Sequence, residues 1–249
     1  MSNYGTKVAS PSLGYLISGA GKNILVDTGP GPQDLMERLH PGLALDFVKG
    51  GVVSALAGVG LTPDRIDSVI FTHLHWDHCH NGEKFPGKRF FVQRAELIYA
   101  LLPLDIHANL YEAPKAGLTP PWFRIAAQLE VVEGDTDIDD GIRLVFTPGH
   151  SPGSQSVLVN TEAGPYLIAG DTVMQYENWE GKGFQKHLFS LVHVNLTDFD
   201  ASLRKIETLG AVRLLPGHDF KALEHEVYPL PEEIERKEGE DSQNRGARP

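Results

Sequence analysis

Three histidines fall within six residues at His73, His75 and His78, and Asp77 stands among them in the run Thr72-His73-Leu74-His75-Trp76-Asp77-His78. Imidazoles and carboxylates bind divalent metal ions, and four such groups in one loop would be costly to bury without a partner. Metal ions would supply that partner and, with it, hydrolytic chemistry at neutral pH. Further along stand His150 in Thr-Pro-Gly-His-Ser, Asp171 in Ala-Gly-Asp-Thr and His218 in Leu-Pro-Gly-His-Asp. Taken singly, each reads as a polar residue satisfied near a turn. Together with the cluster they make seven candidate ligands, enough for two adjacent ions.

The elements around these residues are the ones needed to gather them. Ser68 to Thr72 is a β-branched, buried strand that delivers the histidine cluster into a loop. Ile142 to Phe146 runs into His150, Tyr166 to Ala169 into Asp171, and Val212 to Leu215 into His218. Every candidate ligand therefore sits at the mouth of a strand, where open α/β layers place their active sites. Leu13 to Ser18 with Asn23 to Asp27 reads as a hairpin, and Ser156 to Asn160 with Tyr166 to Ala169 repeats the pattern. Helices are predicted at Pro32 to Leu39, Val52 to Val59, Arg94 to Leu102 and Asp198 to Leu209. In the third, Leu97, Ile98, Leu101 and Leu102 mark the expected apolar side.

Composition removes several classes of function. The 249 residues are 41% apolar, ample for a buried core, and no linker divides residues 1 to 230. With 22 Lys plus Arg against 33 Asp plus Glu, a net charge of −11 argues against a nucleic-acid-binding surface. The longest nearly apolar stretch, Val52 to Leu61, is about half the length needed to cross a bilayer. Met1 to Ser10 lacks the basic start and apolar run of a secretory signal, and the single cysteine, Cys79, suits a reducing compartment, so a cytoplasmic location is expected. Pro231 to Pro249 is densely charged with Ile234 as its one large apolar residue, and reads as a disordered tail. Pro103 to Phe123 has no clear period and reads as a lid or disordered segment.

The H-x-H-x-D-H run, the later His150, Asp171 and the final His218, in that order, resemble the metallo-β-lactamase-fold hydrolase superfamily over residues 13 to about 220. The resemblance implies an α/β fold, a four-layer αββα sandwich with metals between the loops at one edge of two sheets. It implies that His73, His75 and His150 hold a first metal ion, that Asp77, His78 and His218 hold a second, and that Asp171 bridges both. Asp27, in Leu-Val-Asp-Thr-Gly, matches a position whose carboxylate supports the site from behind the ligands. The implied mechanism is attack by a metal-bridging hydroxide, with Asp77 as the catalytic carboxylate that orients the water or handles its proton. Zinc is the first choice for such a set, and iron, manganese or cobalt accept the same ligands.

Within the superfamily, Thr-His-Leu-His-Trp-Asp-His-Cys, Val-Gln-Arg-Ala-Glu-Leu at 92 to 97 and the segment from Asp171 to Glu180 resemble the N-acyl-homoserine lactonase branch. A small-molecule lactone or related cyclic ester or amide is therefore the expected substrate, and a homodimer is the expected assembly if the chain self-associates. Lactonases of that branch carry a tyrosine three residues after the bridging Asp, where this chain has Met174; Tyr176 stands nearby. Cys79, His80 and Asn81 also replace the branch's glycine pair. Met174, Tyr176 and His193 are the candidate substrate contacts. For His107 and His187 a surface or core role is the simpler reading, and Cys79 reads as a small packed residue. Tyr111, Trp122 and Phe123 fit either an apolar substrate pocket or a hydrophobic cluster under a long loop.

Other branches fit less well. Zinc β-lactamases of the commonest type have cysteine where Asp171 stands, and flavodiiron proteins have glutamate where His75 stands. A glyoxalase II type thioester hydrolase shares all seven ligands, but Pro231 to Pro249 mixes its basic residues with more acids. A non-catalytic metal-binding member of the fold has no physical need for a complete bridged pair.

Overall fold

The computed structural model describes residues 8–42 and 50–246. Parts of two readings, residues 1–7 of the N-terminal stretch read as lacking a secretory signal and residues 247–249 of the tail, lie outside the described residues. The first of two five-stranded sheets runs in chain order through β1 (Tyr15–Gly19), β2 (Lys22–Val26), β3 (Ser68–Ile70), β4 (Arg89–Gln93) and β5 (Leu129–Val132). Here β1 pairs antiparallel with β2 and all later pairs are parallel. The second contains β6 (Thr136–Asp139), β7 (Ile142–Phe146), β8 (Gln155–Thr161), β9 (Gly164–Gly170) and β10 (Arg213–Pro216). Its strands are antiparallel except for β10, which lies parallel beside β9. Both predicted hairpins form, β1 with β2 and β8 with β9.

Helices α1 (Gln33–Leu39), α2 (Gly51–Gly58), α3 (Trp76–Cys79), α4 (Arg94–Leu101), α5 (Tyr176–Glu180), α6 (Leu196–Glu207) and α7 (Pro231–Gly246) complete the regular structure. Successive side chains on a strand point to opposite faces, and this alternation sorts the apolar residues into layers. Ile24, Val26, Ile70 and Phe91 meet Leu144, Val157, Tyr166, Ile168 and Leu215 in a core between the sheets. Leu25, Val69, Phe90 and Val92 point the other way and are covered by Leu56 of α2 and Ala100 of α4. Leu167, Ala169 and Leu214 do the same on the second sheet beneath Phe199, Leu203 and Ile206 of α6. The order is helix, sheet, sheet, helix: the αββα sandwich implied by the resemblance. Asn195 starts α6, its side chain accepting from the backbone N–H groups of Thr197 and Asp198 at 2.9 and 3.2 Å.

Three expectations change. On α4 most of the leucine and isoleucine side does not turn inward: Leu97 packs against the core, but Ile98, Leu101 and Leu102 are exposed, while Glu96 and Ala100 are buried. The reason is that the Glu96 carboxylate has four hydrogen-bond donors waiting for it inside. The 103 to 123 segment is a chain of packed 3₁₀ turns, with Tyr111 and Trp122 in the core under the first sheet. Prolines at the starts of two of these turns supply their fixed backbone angle.

The charged C-terminal segment forms α7 instead of a disordered tail. Its Glu233 accepts from Arg213 Nε at 2.8 Å, from the Leu230 N–H at 2.9 Å and from the Tyr166 hydroxyl, while Ile234 packs on the core between the sheets. One satisfied ion pair and one apolar anchor hold what a count of apolar residues would leave loose. Among the described residues, no helix is long and apolar enough to cross a membrane.

Candidate metal centre

The C-terminal ends of β3, β7, β9 and β10 lead into the segments bearing His73, His150, Asp171 and His218. At the end of β2, Asp27 adopts a left-handed backbone, φ 59°, and turns its carboxylate across to β3. Its Oδ1 accepts from the Thr72 N–H at 2.8 Å and its Oδ2 from the Thr72 hydroxyl at 2.7 Å. This fixes the residue from which the histidine cluster departs.

Three imidazoles converge on one point. His73 Nε2 lies 2.9 Å from His75 Nδ1, and His150 Nε2 lies 3.2 and 3.1 Å from those two atoms. A tetrahedral zinc ion with Zn–N bonds of about 2.1 Å sets its ligand nitrogens about 3.4 Å apart, so the trio has close to ligand spacing. A second group adjoins it: His78 Nε2 and His218 Nε2 are 3.2 Å apart, and Asp77 Oδ2 is 3.7 and 3.6 Å from them. Asp171 lies between the groups. Its Oδ2 is 3.5 Å from His150 Nε2, whereas its Oδ1 is 3.4 Å from His78 Nε2 and 3.1 Å from His218 Nε2.

The donor set fits a pair of metal ions. Asp171 Oδ1 is buried without a hydrogen-bond partner, a costly state that a cation would relieve. Gly217 leaves that oxygen its space, since a Cβ there would stand 2.4 Å from it. The ring nitrogens facing away from the centre are engaged: His78 Nδ1 with Asp27 at 2.8 Å, His150 Nδ1 with the Val192 carbonyl at 2.8 Å and His218 Nδ1 with the Pro11 carbonyl at 2.6 Å. A carbonyl only accepts, so Nδ1 carries a proton in His150 and His218, which leaves Nε2 as the nitrogen each ring turns toward the centre. His73 follows the same pattern, donating from Nδ1 to the Thr72 hydroxyl at 3.1 Å, which itself donates to Asp27.

Charge is divided between the two groups. Burial, reinforced by neighbouring imidazoles, holds His73 and His75 well below the usual histidine range, and burial lowers His150 as well. Burial also works against protonation of His78 and His218, but the nearby carboxylates, Asp171 foremost, outweigh it and raise both. Burial would raise Asp171, yet His218, His78 and His150 together keep it well below the usual carboxylate range. The trio is thus neutral, with lone pairs free, beside an ionised Asp171.

The remaining residues singled out from the sequence lie around this centre or away from it. Met174 accepts the His218 N–H on its carbonyl at 2.7 Å, which places it directly behind the second group. Tyr176 receives Lys221 over its ring at 6.0 Å, and its N–H donates to Asp219 at 2.9 Å. His193 donates from Nδ1 to the Ser190 carbonyl at 3.1 Å, within the segment that supports His150. His187 is tied to the Trp179 carbonyl and to Glu207, at 2.7 and 2.8 Å, and stacks on Trp179, a structural role. His107 pairs with the Tyr99 hydroxyl at 2.8 Å. Cys79 is packed in the core, where burial pushes its thiol pKa up.

Several supporting residues escaped the sequence reading. Asn81 spans the 28 to 30 loop, donating to the carbonyls of Thr28 and Pro30 at 2.9 and 2.7 Å. Ser12 donates to the Asp77 carbonyl at 2.7 Å, and Pro11 fixes His218 as described. Nothing local distinguishes a proline carbonyl or a loop serine, so sequence carries no signal for them. Glu96 did leave one, a carboxylate set among Ala95, Leu97, Ile98, Ala100 and Leu101.

An αββα sandwich with histidines and aspartates gathered at the strand ends of both sheets defines a metal-dependent hydrolase fold. The profile of the metallo-beta-lactamase superfamily matches residues 9–218, and the chain belongs to that superfamily. It is similar to an N-acyl homoserine lactonase of Bacillus sp., with 34% identity over 191 residues, 70% of this chain and 70% of that one. It is also similar to the N-acyl homoserine lactonase AiiA of Bacillus thuringiensis subsp. kurstaki, 34% identical over 179 residues, 67% of this chain and 65% of the relative. A solved N-acyl homoserine lactone hydrolase with its product N-hexanoyl-L-homoserine bound at the catalytic metal center superposes with a TM-score of 0.68 at 26% identity, covering 89% of this chain and 86% of that one.

Proposed function

We propose that this chain is a dinuclear-metal-dependent hydrolase that opens lactones, either N-acyl homoserine lactones or related cyclic esters, with residues 1 to 230 acting as one catalytic domain. The observation that carries the reading is the Asp171 carboxylate, with one oxygen toward His150 and the other toward His78 and His218. His73, His75 and His150 would hold one ion, Asp77, His78 and His218 the other, and Asp171 both. Ions held there would bring the pKa of a shared water toward neutrality and polarise an ester carbonyl. Asp77 is the set's most accessible carboxylate, its side chain 21% exposed against 5% for Asp171, and so the one positioned to orient water and take its proton. Met174, Tyr176 and His193 are assigned to the substrate side. A lactone suits the site because its leaving oxygen stays tethered to the acyl fragment.

Zinc is the ion we assign, since the set is imidazole and carboxylate without thiolate. A cytoplasmic setting belongs to the same reading. So does a homodimer, for which the exposed Ile98, Leu102, Leu104 and Ile106 provide apolar surface. The deciding experiment is metal content by mass spectrometry on purified protein, coupled to a pH-indicator screen of acyl-homoserine lactones, aromatic lactones, thioesters and phosphodiesters. Two ions per chain with lactone turnover is the expected result. Turnover of thioesters alone would overturn the substrate class, and less than one ion after repletion would overturn the ligand assignment.

A further inference from the structure

Glu96, in the first turn of α4, is fully buried. Its Oε1 accepts from the Leu74 N–H at 2.9 Å and the Tyr111 hydroxyl at 3.0 Å; its Oε2 accepts from the Ser151 hydroxyl at 2.5 Å and the Gly153 N–H at 3.0 Å. All four partners are uncharged donors, two to each oxygen, the pattern that an acceptor-only carboxylate satisfies. Burial nevertheless raises its pKa against the pull of those bonds, so the fold keeps a costly group here.

The four donors share a location. Leu74 lies between His73 and His75, Ser151 follows His150, and Tyr111 sets its ring edge-on against His75 with centroids 4.6 Å apart. Gly153 sits so close that a Cβ would stand 2.1 Å from the Glu96 nitrogen, pressing the segment after His150 onto α4. One carboxylate thus spans the two loops that supply the trio of His73, His75 and His150, loops that come from different sheets. The segments bearing Asp171 and His218 take no part in this clamp.

We infer that Glu96 is a positioning residue for one half of the centre: it sets the spacing between the His73/His75 loop and the His150 loop, and so the affinity of that half for its ion. The inference rests on the proposed metal centre. Carboxylates and carbonyls behind metal ligands typically contribute 10- to 100-fold in affinity. Glu96→Gln preserves size but turns an NH2 group toward two donors. Zinc titration of the purified full-length protein against a competing chelator should show two ions in the wild type, and in the variant one of them should bind about 10- to 100-fold more weakly. In a His218→Ala background, which leaves the trio, the same loss should appear; in a His150→Ala background it should not. Ser151→Ala removes one donor without disturbing the carboxylate, should weaken the same ion severalfold, and decides the question if Glu96→Gln does not fold. A purely structural role would lower the melting temperature and weaken both ions equally, and that result, or wild-type affinities in both variants, overturns the inference. A wild-type protein that binds no zinc would instead overturn the metal-centre reading itself.

Discussion

Asp27 Oδ2 and His78 Nδ1 lie 2.8 Å apart, with both side chains buried. The contact turns His78 Nε2 toward His218 and Asp171, at 3.2 and 3.4 Å. Because Asp27 also accepts from both the backbone and the hydroxyl of Thr72, a single carboxylate orients parts of both groups.

Asp27→Asn tests that arrangement. Asparagine tolerates the left-handed backbone found at Asp27, so the fold should survive. The amide offers one acceptor oxygen where the carboxylate offers two, and zinc affinity should fall about 10- to 100-fold. Unchanged affinity by chelator competition would count against the role.

Asp171→Asn removes the charge shared between the groups. If ions held there lower the barrier by several kcal/mol, loss of about 4 kcal/mol corresponds to a roughly thousandfold drop in kcat/KM. The metal count should fall below two per chain while circular dichroism stays native. Full turnover with the variant would remove Asp171 from the reaction.

Met174 is fixed behind the second group through its carbonyl bond to the His218 N–H. If the side chain faces the substrate as proposed, Met174→Tyr would offer it a hydroxyl donor, and where a preorganised donor to developing negative charge contributes on the order of 100- to 1000-fold, an introduced one should supply part of that. Lactone kcat should change about tenfold with metal content unaltered. Identical kcat and KM would show that the side chain points elsewhere.

Glu233 holds α7 to β10 through Arg213 and to β9 through Tyr166. Breaking this pair with Glu233→Gln leaves Arg213 without its partner and should cost about 2 kcal/mol, below the range for wholly buried pairs because Arg213 is partly exposed. Burial works to raise the Glu233 pKa, but the Tyr166 hydroxyl, the Leu230 N–H and Arg213 outweigh it and lower it overall. A carboxyl depressed in the folded state stabilises above its unfolded pKa, and that contribution disappears as pH falls through the folded value. The gap between wild type and variant in denaturant melts should therefore be full at pH 7 and shrink below pH of about 4. A gap independent of pH would assign the effect to packing.

What the sequence by itself determined was the inventory of the centre and its address in the chain. The ligand-capable residues fall within short motifs directly after β-branched runs, and strand periodicity is a local property of two to eight residues. The alternation that separates Leu25 from Ile24 and Val26 is equally local, which is why individual strands, hairpins and helices were legible, whereas their arrangement in two covered sheets was implied only by the family resemblance. The α4 face was not. Its exposed Ile98 and Leu102 and buried Glu96 reverse the usual preference, because the inward position is decided by donors from Leu74, Tyr111, Ser151 and Gly153. The same holds for α7, where a count of apolar residues overlooked an ion pair formed with a strand about twenty residues earlier.

Only the tertiary structure decided which ligand meets which. His150 joins His73 across 77 positions of chain and His218 joins His78 across 140, and the Pro11 carbonyl orients the His218 ring from 207 positions earlier in the chain. Such contacts depend on how two sheets pack and where their loops converge, and no local pattern records them. Residue chemistry is written position by position, whereas the distances that turn it into a site arise when the layers close.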